Sequence, residues 1–292
     1  MNVGVIGLGK MGLPIARNLM ARGMAVTGFR RSGCDDLVAS GGVGAASPAA
    51  VAAVADVLLS IVPDAQAVDD VVCGPEGTLR TLRPGTVHIE MSTIDVASKT
   101  RLRDAVRAAG GDMLDCPISG SPGMVAPRLA TTFVSGDRDS VEAVRPVLEA
   151  ISGPWVYTGA FGTGASMKYV ANMLIGIHTV AAAEAMVLAG RFGLDLELVQ
   201  NTLDTSIASS AIFKQRGPVM RTRQWTPAPG PIETLHAILE QIADAAAGTE
   251  LPVFAAAKTV FDKAMADGWN QLDISAVHDQ LAGAAPTLGA PA

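Results

Sequence analysis

A glycine-rich turn near the start of the chain is the feature that most constrains its fold. Residues 2–6 form a short apolar stretch typical of a strand, the turn follows directly, and a helix-forming segment continues through Ala21. In this pattern the first glycine allows a tight turn, the second lets a pyrophosphate approach the backbone, and the third brings helix and strand together at a helix N-terminus that faces the anion. The predicted dinucleotide-binding residues are Gly7, Leu8, Gly9, Lys10, Met11 and Gly12.

The end of the second predicted strand, at residues 25–29, indicates which dinucleotide is bound. Arg30, Arg31 and Ser32 follow it, at the position where an NAD-specific fold usually places an acidic residue for the ribose hydroxyls. Two arginines and a serine instead suit a 2′-phosphate. The alternative is a solvated basic turn. We predict NADP(H) as the preferred cofactor and NAD(H) as the alternative.

Strand and helix patterns alternate through residue 157 and specify a doubly wound sheet. A single strand is expected over 112–118 and a single helix over 140–151. Ligands of such a sheet bind beyond the carboxyl ends of its strands, which are predicted at Val62-Pro63, Ser92-Thr93 and Ser119-Gly120-Ser121. The last segment offers hydroxyls and amides for a carboxylate or carbonyl oxygen, although by itself it is more simply a plain turn.

Residues 163–193 are predicted to form one long helix that carries a single lysine. Lys168 and Asn172 are a polar pair at a spacing of four within an apolar run, so they share one face of the helix. A lysine in the first helical turn lies at the unfavourable end of the helix dipole, and partial burial would lower its pKa into the range suited to proton transfer. The alternative is a lysine whose stem packs on the protein while its ammonium reaches water.

The chain of 292 residues is long for one hydrophobic core and predicts two domains. The whole segment after residue 193 has apolar residues at helical spacing. We therefore predict an α/β chain with an N-terminal Rossmann-type doubly wound sheet, a long interdomain helix and an all-α C-terminal domain. The expected bounds are 1–162, 163–193 and 194–284, with a flexible tail over 285–292.

Composition narrows the range of functions. A net charge of −6 argues against a nucleic-acid partner, and no apolar run reaches the length of a membrane span without a charge or glycine inside it. A cytoplasmic protein that binds a small-molecule substrate is expected. Cys34, Cys73 and Cys116 are widely spaced and have no neighbouring cysteine or histidine pattern, so neither a disulfide framework nor a metal site is predicted.

Three motifs resemble those of the β-hydroxyacid dehydrogenase family, which includes 3-hydroxyisobutyrate dehydrogenases and tartronate semialdehyde reductases. They are GLGKMGLPIARNL at 7–19, DCPISGS at 115–121 and GTGASMKYVAN at 162–172. They stand in the family's order, and the resemblance covers nearly the whole chain. It implies an NADP(H)-dependent oxidoreductase that interconverts a short β-hydroxy acid and its semialdehyde, as a homodimer or homotetramer assembled through the C-terminal helical domain.

The resemblance also implies roles for individual residues. Lys168 would be the general acid/base, and Asn172 would orient the substrate or the lysine. Ser119 and Gly120 would bind the substrate's carboxylate, with Ser121 beside them. On the cofactor side, Thr93 would lie near the nicotinamide and Val62 and Pro63 along the dinucleotide.

Two departures from the family pattern leave the substrate open. The family usually has a Lys-Asp pair where this chain has Leu235-His236, and Gly-Gly where it has Gly120-Ser121. The lost lysine could mean a less anionic or larger substrate. His236 is a candidate substrate-binding residue, with a structural histidine as the alternative, and His278 is expected at the surface.

Two other functions compete with this one. The first is an imine reductase on the same scaffold, but those enzymes usually place Asp or Tyr where Lys168 stands. A scaffold or sensor could bind NADPH without turnover, but such a protein has no physical need to keep Lys168, Asn172 and Ser119 together.

Overall fold

The chain forms two compact units in a computed structural model that describes residues 1–284. The first unit comprises Met1–Lys168 and the second begins at Tyr169. The first is α/β and the second is helical, which confirms the predicted fold class. The tail predicted over 285–292 lies outside the described residues.

The first unit is built on one sheet. Its strands are β1 (Asn2–Ile6), β2 (Ala25–Phe29), β3 (Val43–Gly44), β4 (Val57–Ser60), β5 (Val87–Glu90), β6 (Asp112–Asp115), β7 (Ile118–Ser119), β8 (Thr131–Ser135) and β9 (Trp155–Gly159). The first six run parallel in the order β3-β2-β1-β4-β5-β6, which is the order of a dinucleotide-binding sheet. Beyond β6, the strand β8 pairs antiparallel with β6 and β7 and parallel with β9.

Helices cover this sheet, whose central strands are buried. The helices are α1 (Gly12–Ala21), α2 (Asp35–Ala39), α3 (Pro48–Ala52), α4 (Ala65–Cys73), α5 (Val96–Ala108), α6 (Pro122–Val125), α7 (Arg138–Ala143) and α8 (Arg145–Ile151), with a 3-10 turn at Thr78–Arg80. The burial of β4 on both faces explains why its segment of the sequence is a largely apolar run.

Two predicted elements of the first unit are each divided in the structure. The strand expected over 112–118 is β6 followed by β7, because Pro117 has no N–H to donate and the chain then turns to pair with β8. The helix expected over 140–151 is α7 and α8, with Pro146 in the first turn of α8. Helix α4 was not predicted, although Asp64 marks its start by accepting a hydrogen bond from the Ala67 N–H at 2.8 Å.

The second unit is formed by the long helix from Tyr169 onward, since its first six residues belong to the first unit, and by the helices after it. These are α9 (Thr163–Arg191), α10 (Leu196–Asp204), α11 (Ala211–Thr222), α12 (Ile232–Ala245), α13 (Pro252–Ala266) and α14 (Val277–Leu281), with a 3-10 turn at Ile274–Ala276. Its core is apolar and contains Trp225 and Phe261. The prediction that His278 is exposed is wrong: it is buried beside Trp225 and is hydrogen-bonded to Asp279 at 3.1 Å.

Helix α9 has the size of a membrane span. Its 29 residues, with a mean hydropathy of 1.6 in the most apolar window, would suffice to cross a bilayer by length and composition alone. The central helix of a compact soluble protein meets the same criterion. Gly176 and Glu184 lie inside the helix, so the expectation that no apolar run of this length is free of a charge or glycine is not contradicted.

Candidate active site

The turn between β1 and α1 leaves its backbone open to a ligand. Gly7 has a φ of 96°, and a Cβ there would lie 2.1 Å from the carbonyl oxygen of Ile61. A Cβ on Gly12 would lie 1.8 Å from the carbonyl oxygen of Gly7, so neither position admits a side chain. A Cβ on Gly9 would instead meet no atom within 4 Å. The exposed backbone at Gly9 and Lys10 and the N-terminus of α1 therefore fit a dinucleotide pyrophosphate.

The two arginines after β2 have different environments. Arg30 donates hydrogen bonds from Nη1 to the Leu8 carbonyl and from Nε to the Gly33 carbonyl, both at 3.1 Å. It therefore braces the loop against the glycine turn. Arg31 and Ser32 are exposed, and their side chains form no hydrogen bond within residues 1–284. They remain available to bind a phosphate.

The carboxyl ends of β4 and β5 are joined by side-chain hydrogen bonds. The Val62 N–H donates to Ser92 Oγ at 2.9 Å, and the Ser92 N–H donates to Glu90 Oε1 at 2.8 Å. Val62 and Thr93 are partly buried and Pro63 is exposed. These contacts bring the two predicted cofactor segments together at one edge of the sheet.

The Ser119-Gly120-Ser121 turn leads out of β7. Ser119 is partly exposed and pairs with Thr131 of β8. Gly120 has a φ of 151°, and a Cβ there would lie 2.9 Å from the Cβ of Ala130. Within residues 1–284 the hydroxyls of Ser119 and Ser121 form no hydrogen bond. The turn therefore offers free donors at the edge of the sheet where ligands of such folds bind.

Lys168 is a buried cation without a partner. Its relative exposure is 7%, and its ammonium forms no hydrogen bond or ion pair within the described part of the chain. Burial lowers the pKa of Lys168 to about 8. Because α9 begins at Thr163, the lysine lies in the second helical turn, not in the first as predicted. The helix dipole therefore contributes less than expected, and burial dominates.

The start of α9 is fixed to the end of β6. Asp115 Oδ2 accepts a hydrogen bond from the Ala165 N–H at 2.8 Å. A Cβ on Gly164 would lie 2.8 Å from the Asp115 carbonyl oxygen and 2.9 Å from that of Phe133. Only glycine allows this approach, which places the first turns of α9, and with them Lys168, next to the carboxyl ends of the strands.

Two predicted site residues belong to the second unit. Asn172 follows Lys168 by one turn of α9, is 3% exposed, and has an Nδ2 atom without a hydrogen-bond partner in the described residues. His236 Nε2 lies 2.9 Å from Asp262 Oδ1, and Leu235 is buried. These contacts tie α12 to α13 and give no support to a substrate-binding role for His236.

His236, Glu240 and Asp262 also have the spacing of a small metal site, since their ligand atoms lie within 4.8 Å of one another. However, the Lys258 ammonium forms ion pairs with both carboxylates, at 2.8 Å in the case of Asp262. Lys258 therefore already supplies the positive charge that this group of residues requires.

Family models match almost the whole chain. The model described as the NAD binding domain of 6-phosphogluconate dehydrogenase matches residues 2–159. The model described as the NAD-binding domain of NADP-dependent 3-hydroxyisobutyrate dehydrogenase matches residues 162–281.

The chain belongs to the β-hydroxyacid dehydrogenase family.

Relatives and solved structures agree with this membership. Glyoxylate/succinic semialdehyde reductase 1 of Arabidopsis thaliana is 32% identical, over 95% of this chain and 97% of its own length. The crystal structure of 3-hydroxyisobutyrate dehydrogenase from Salmonella typhimurium is 30% identical, with a TM-score of 0.88 over 96% of this chain and 99% of that one. Psf3 in complex with NADP+ and 2-OPP is 26% identical, with a TM-score of 0.87 over 96% and 99%.

An imine reductase from Pseudomonas sp. is more distant, at 22% identity and a TM-score of 0.60 over 96% of this chain and 99% of that one. That likeness concerns the fold alone. As a member of the β-hydroxyacid dehydrogenase family, the chain is an NAD(P)-dependent dehydrogenase or reductase that acts on a CH–OH group of a small molecule. The predictions of an enzyme and of a nicotinamide cofactor are confirmed.

Sequence reasoning missed two buried carboxylates that position the predicted site segments. Glu90 is hydrogen-bonded to the predicted segment Ser92-Thr93, and Asp115 is hydrogen-bonded to the start of α9. The available signal was the carboxylate at the carboxyl end of each of two apolar strands, an unusual residue for a buried position.

Proposed function

We propose that the enzyme uses NADP(H) to interconvert a short β-hydroxy acid and its semialdehyde, with Lys168 as the general acid/base. The observation that carries the proposal is the buried ammonium of Lys168, which has no partner among residues 1–284 and whose pKa is lowered by burial to about 8. Near neutral pH such a group can both give and take a proton. The semialdehyde reductase and hydroxyacid dehydrogenase named among the relatives support this reaction class.

When bound, the nicotinamide supplies or accepts the hydride. In reduction, the carbonyl π electrons move to oxygen as the carbon gains the hydride, and Lys168 Nζ gives its proton to that oxygen. The lysine is left as a neutral amine and is reprotonated from solvent. In oxidation, the neutral amine takes the proton of the substrate hydroxyl.

The remaining site residues bind and orient the substrate and the cofactor. Ser119, Gly120 and Ser121 hold the substrate's carboxylate through free hydroxyls and backbone N–H groups. Asn172, whose Nδ2 has no hydrogen-bond partner among the described residues, orients the substrate or Lys168. Val62, Pro63 and Thr93 line the dinucleotide.

The preference for NADP(H) rests on Arg31 and Ser32. Both are exposed and have no hydrogen bond from their side chains in the described part of the chain, whereas Arg30 is engaged with the backbone. A free guanidinium and a hydroxyl at the end of β2 suit a 2′-phosphate. The NADP+ complex of Psf3 supports this assignment.

The enzyme would assemble as a homodimer or homotetramer through the second unit. Leu174, Leu188 and Phe192 are 43%, 51% and 70% exposed. The spacing of Leu174 and Leu188 places them on one side of α9, and Phe192 directly follows the helix. A stripe of this kind is typical of an interface. Leu188→Glu should shift the protein to a smaller assembly in analytical ultracentrifugation, and an unchanged mass would contradict this interface. The cytoplasmic location stays a prediction.

The test of the function is NADPH oxidation by wild type and Lys168→Ala on a panel of short semialdehydes and cyclic imines, with NADH in parallel. Turnover of a semialdehyde by wild type alone, faster with NADPH, is the expected result. General acid catalysis contributes about 10²- to 10⁴-fold, so the variant should lose at least a hundredfold in kcat while its affinity for NADPH stays unchanged. Imine turnover by both variants would overturn the proposal.

The pH dependence of the rate gives a second test. Reduction needs the ammonium, so its rate should fall about tenfold per pH unit above about 8. Oxidation needs the amine and should rise with pH up to about 8. Identical pH profiles in the two directions would exclude Lys168 as the acid/base.

A further inference from the structure

A buried group of three charged residues lies beneath the predicted site. Glu90, Lys99 and Asp115 are each fully buried, with 0% exposure. The Lys99 ammonium lies 2.7 Å from Glu90 Oε2 and 2.7 Å from Asp115 Oδ1. Burial alone would lower the pKa of Lys99, but the two carboxylates outweigh it and hold the pKa above its ordinary value. Lys99 is therefore a permanent cation.

The Glu90 carboxylate holds the cofactor side of the site. Its Oε1 accepts the Ser92 N–H at 2.8 Å, and Ser92 Oγ in turn accepts the Val62 N–H at 2.9 Å. Thr93, which would lie near the nicotinamide, is the next residue. The position of this segment therefore depends on where Lys99 holds the carboxylate.

The Asp115 carboxylate holds the lysine side of the site. Its Oδ2 accepts the Ala165 N–H at 2.8 Å and the Ser135 hydroxyl at 2.9 Å. Ala165 precedes Lys168 by about one helical turn. The same carboxylate faces the N-terminal end of α9, where the helix dipole favours a negative charge.

Stability alone does not explain this arrangement. Burying three charges carries a large desolvation penalty, and apolar residues of similar volume usually stabilise a core as well or better. What apolar residues cannot do is accept the backbone N–H groups of Ser92 and Ala165. The network therefore supplies two directional anchors that share a single cation.

We propose that Lys99 is a positioning residue that joins the cofactor segment to the start of α9, so that Lys168 is held at a fixed distance from the reacting carbonyl. This inference rests on the proposed function. A displacement of about 1 Å at a reacting group can cost a hundredfold in rate. Lys99 acts on the reaction through Glu90 and Asp115 and does not itself touch the substrate.

The test compares Asp115→Asn with Glu90→Gln. Each change preserves shape and leaves Lys99 paired with one carboxylate, so the buried charges balance and the protein should fold. The new amide has one oxygen and one NH2 group. The amide of Asp115→Asn cannot accept hydrogen bonds from both Lys99 and the Ala165 N–H, and that of Glu90→Gln cannot accept from both Lys99 and the Ser92 N–H. In each variant one of the two contacts therefore joins two donors.

We expect the two variants to differ in the segment they release. Asp115→Asn should speed deuterium exchange at the Ala165 amide, lower kcat by about tenfold to a hundredfold and leave KM for NADPH unchanged. It should also raise the primary isotope effect with deuterated NADPH, because hydride transfer becomes slower than product release. Glu90→Gln should speed exchange at the Ser92 amide and raise KM for NADPH. Lys99→Met should speed exchange at both amides.

Arg216→Met is the matched control. Arg216 also pairs with a buried carboxylate that accepts backbone N–H groups, Asp273, at 3.0 Å, but in the second unit. It should destabilise the protein without changing kcat, the isotope effect or exchange at Ala165.

A kcat and an isotope effect within twofold of wild type in Asp115→Asn, or unchanged exchange at Ala165 and Ser92 in Lys99→Met, would overturn the inference. A wild type inactive on the whole panel would overturn only the proposed function. The inference would then stand or fall on the exchange rates of these two amides.

Discussion

The two buried lysines of the first unit show how partners decide what a buried charge can do. Lys99 is fully buried and lies 2.7 Å from each of two carboxylates, whereas Lys168 is 7% exposed and has no partner in the described residues. The pKa of Lys99 is raised, and that of Lys168 is lowered to about 8. Both pay the same kind of desolvation penalty, but only Lys99 has charges that offset it.

The contrast separates a group that holds structure from one that can exchange a proton. A permanently charged lysine fixes the segments around it. A lysine with its pKa near 8 is destabilised by burial, and this is the property that suits it to acid–base chemistry. The two regions should therefore respond in opposite ways to removal of the charge.

Replacing Lys99 should produce the largest change in stability. Lys99→Met leaves two carboxylates buried without a cation, and loss of one partner from a buried pair costs about 3–5 kcal/mol. Urea unfolding at pH 7 measures the loss. Arg107 lies in the same helix as Lys99, is half-exposed and pairs with Asp112. Arg107→Met should lower the free energy of unfolding by about 1 kcal/mol or less. Equal losses in the two variants would contradict a special role for the buried network.

Replacing Lys168 should instead make the protein more stable. The unfolded chain holds the lysine proton up to the ordinary pKa of 10.5 and the folded chain only up to about 8, so burial costs about 3 kcal/mol at pH 7. Lys168→Met should therefore raise the free energy of unfolding by up to about 3 kcal/mol at pH 7. The gain should shrink as pH rises from 8 to 10.5, because the wild type becomes more stable over that range. A loss of stability at pH 7 would show that Lys168 has a partner.

The same contrast between an engaged and a free charge can be tested at Arg30 and Arg31. Arg31→Ala removes a charge-assisted contact to a 2′-phosphate, worth about 1.5–3 kcal/mol, and should raise KM for NADPH by roughly tenfold to a hundredfold while leaving KM for NADH unchanged. Arg30→Ala releases the Leu8 and Gly33 carbonyls and should weaken both cofactors alike. Initial rates at varied NADPH and NADH measure this, and equal effects of Arg31→Ala on both would exclude it from phosphate recognition.

Two glycines of α9 offer the smallest and most local test. Gly164→Ala forces a Cβ against Asp115 and Phe133 and should destabilise the protein by about 1–3 kcal/mol. Gly190→Ala meets no atom within 4 Å and should stabilise the helix by up to about 1 kcal/mol. Thermal unfolding of both variants measures the difference, and a neutral Gly164→Ala would show that α9 is not held tightly at its start.

The sequence by itself determined the fold class, the dinucleotide turn and the family. These depend on local patterns: glycines that permit one backbone geometry, apolar residues at the spacing typical of strands or of helices, and motifs in a fixed order. The alternation of elements was enough to predict the sheet, although Pro117 and Pro146 divided two elements that looked continuous.

Only the tertiary structure decided the burial and the pKa of individual ionisable side chains. Nothing in the sequence distinguishes Lys99 from Lys168 as a helical lysine, and His278 looked exposed although it lies against Trp225. The free energy of a charge depends on its distance to other charges and on its contact with water, and both are set by residues far away in the chain. Glu90 and Asp115 are 9 and 16 residues from Lys99, and only the register of β5 against β6 brings them to the same ammonium.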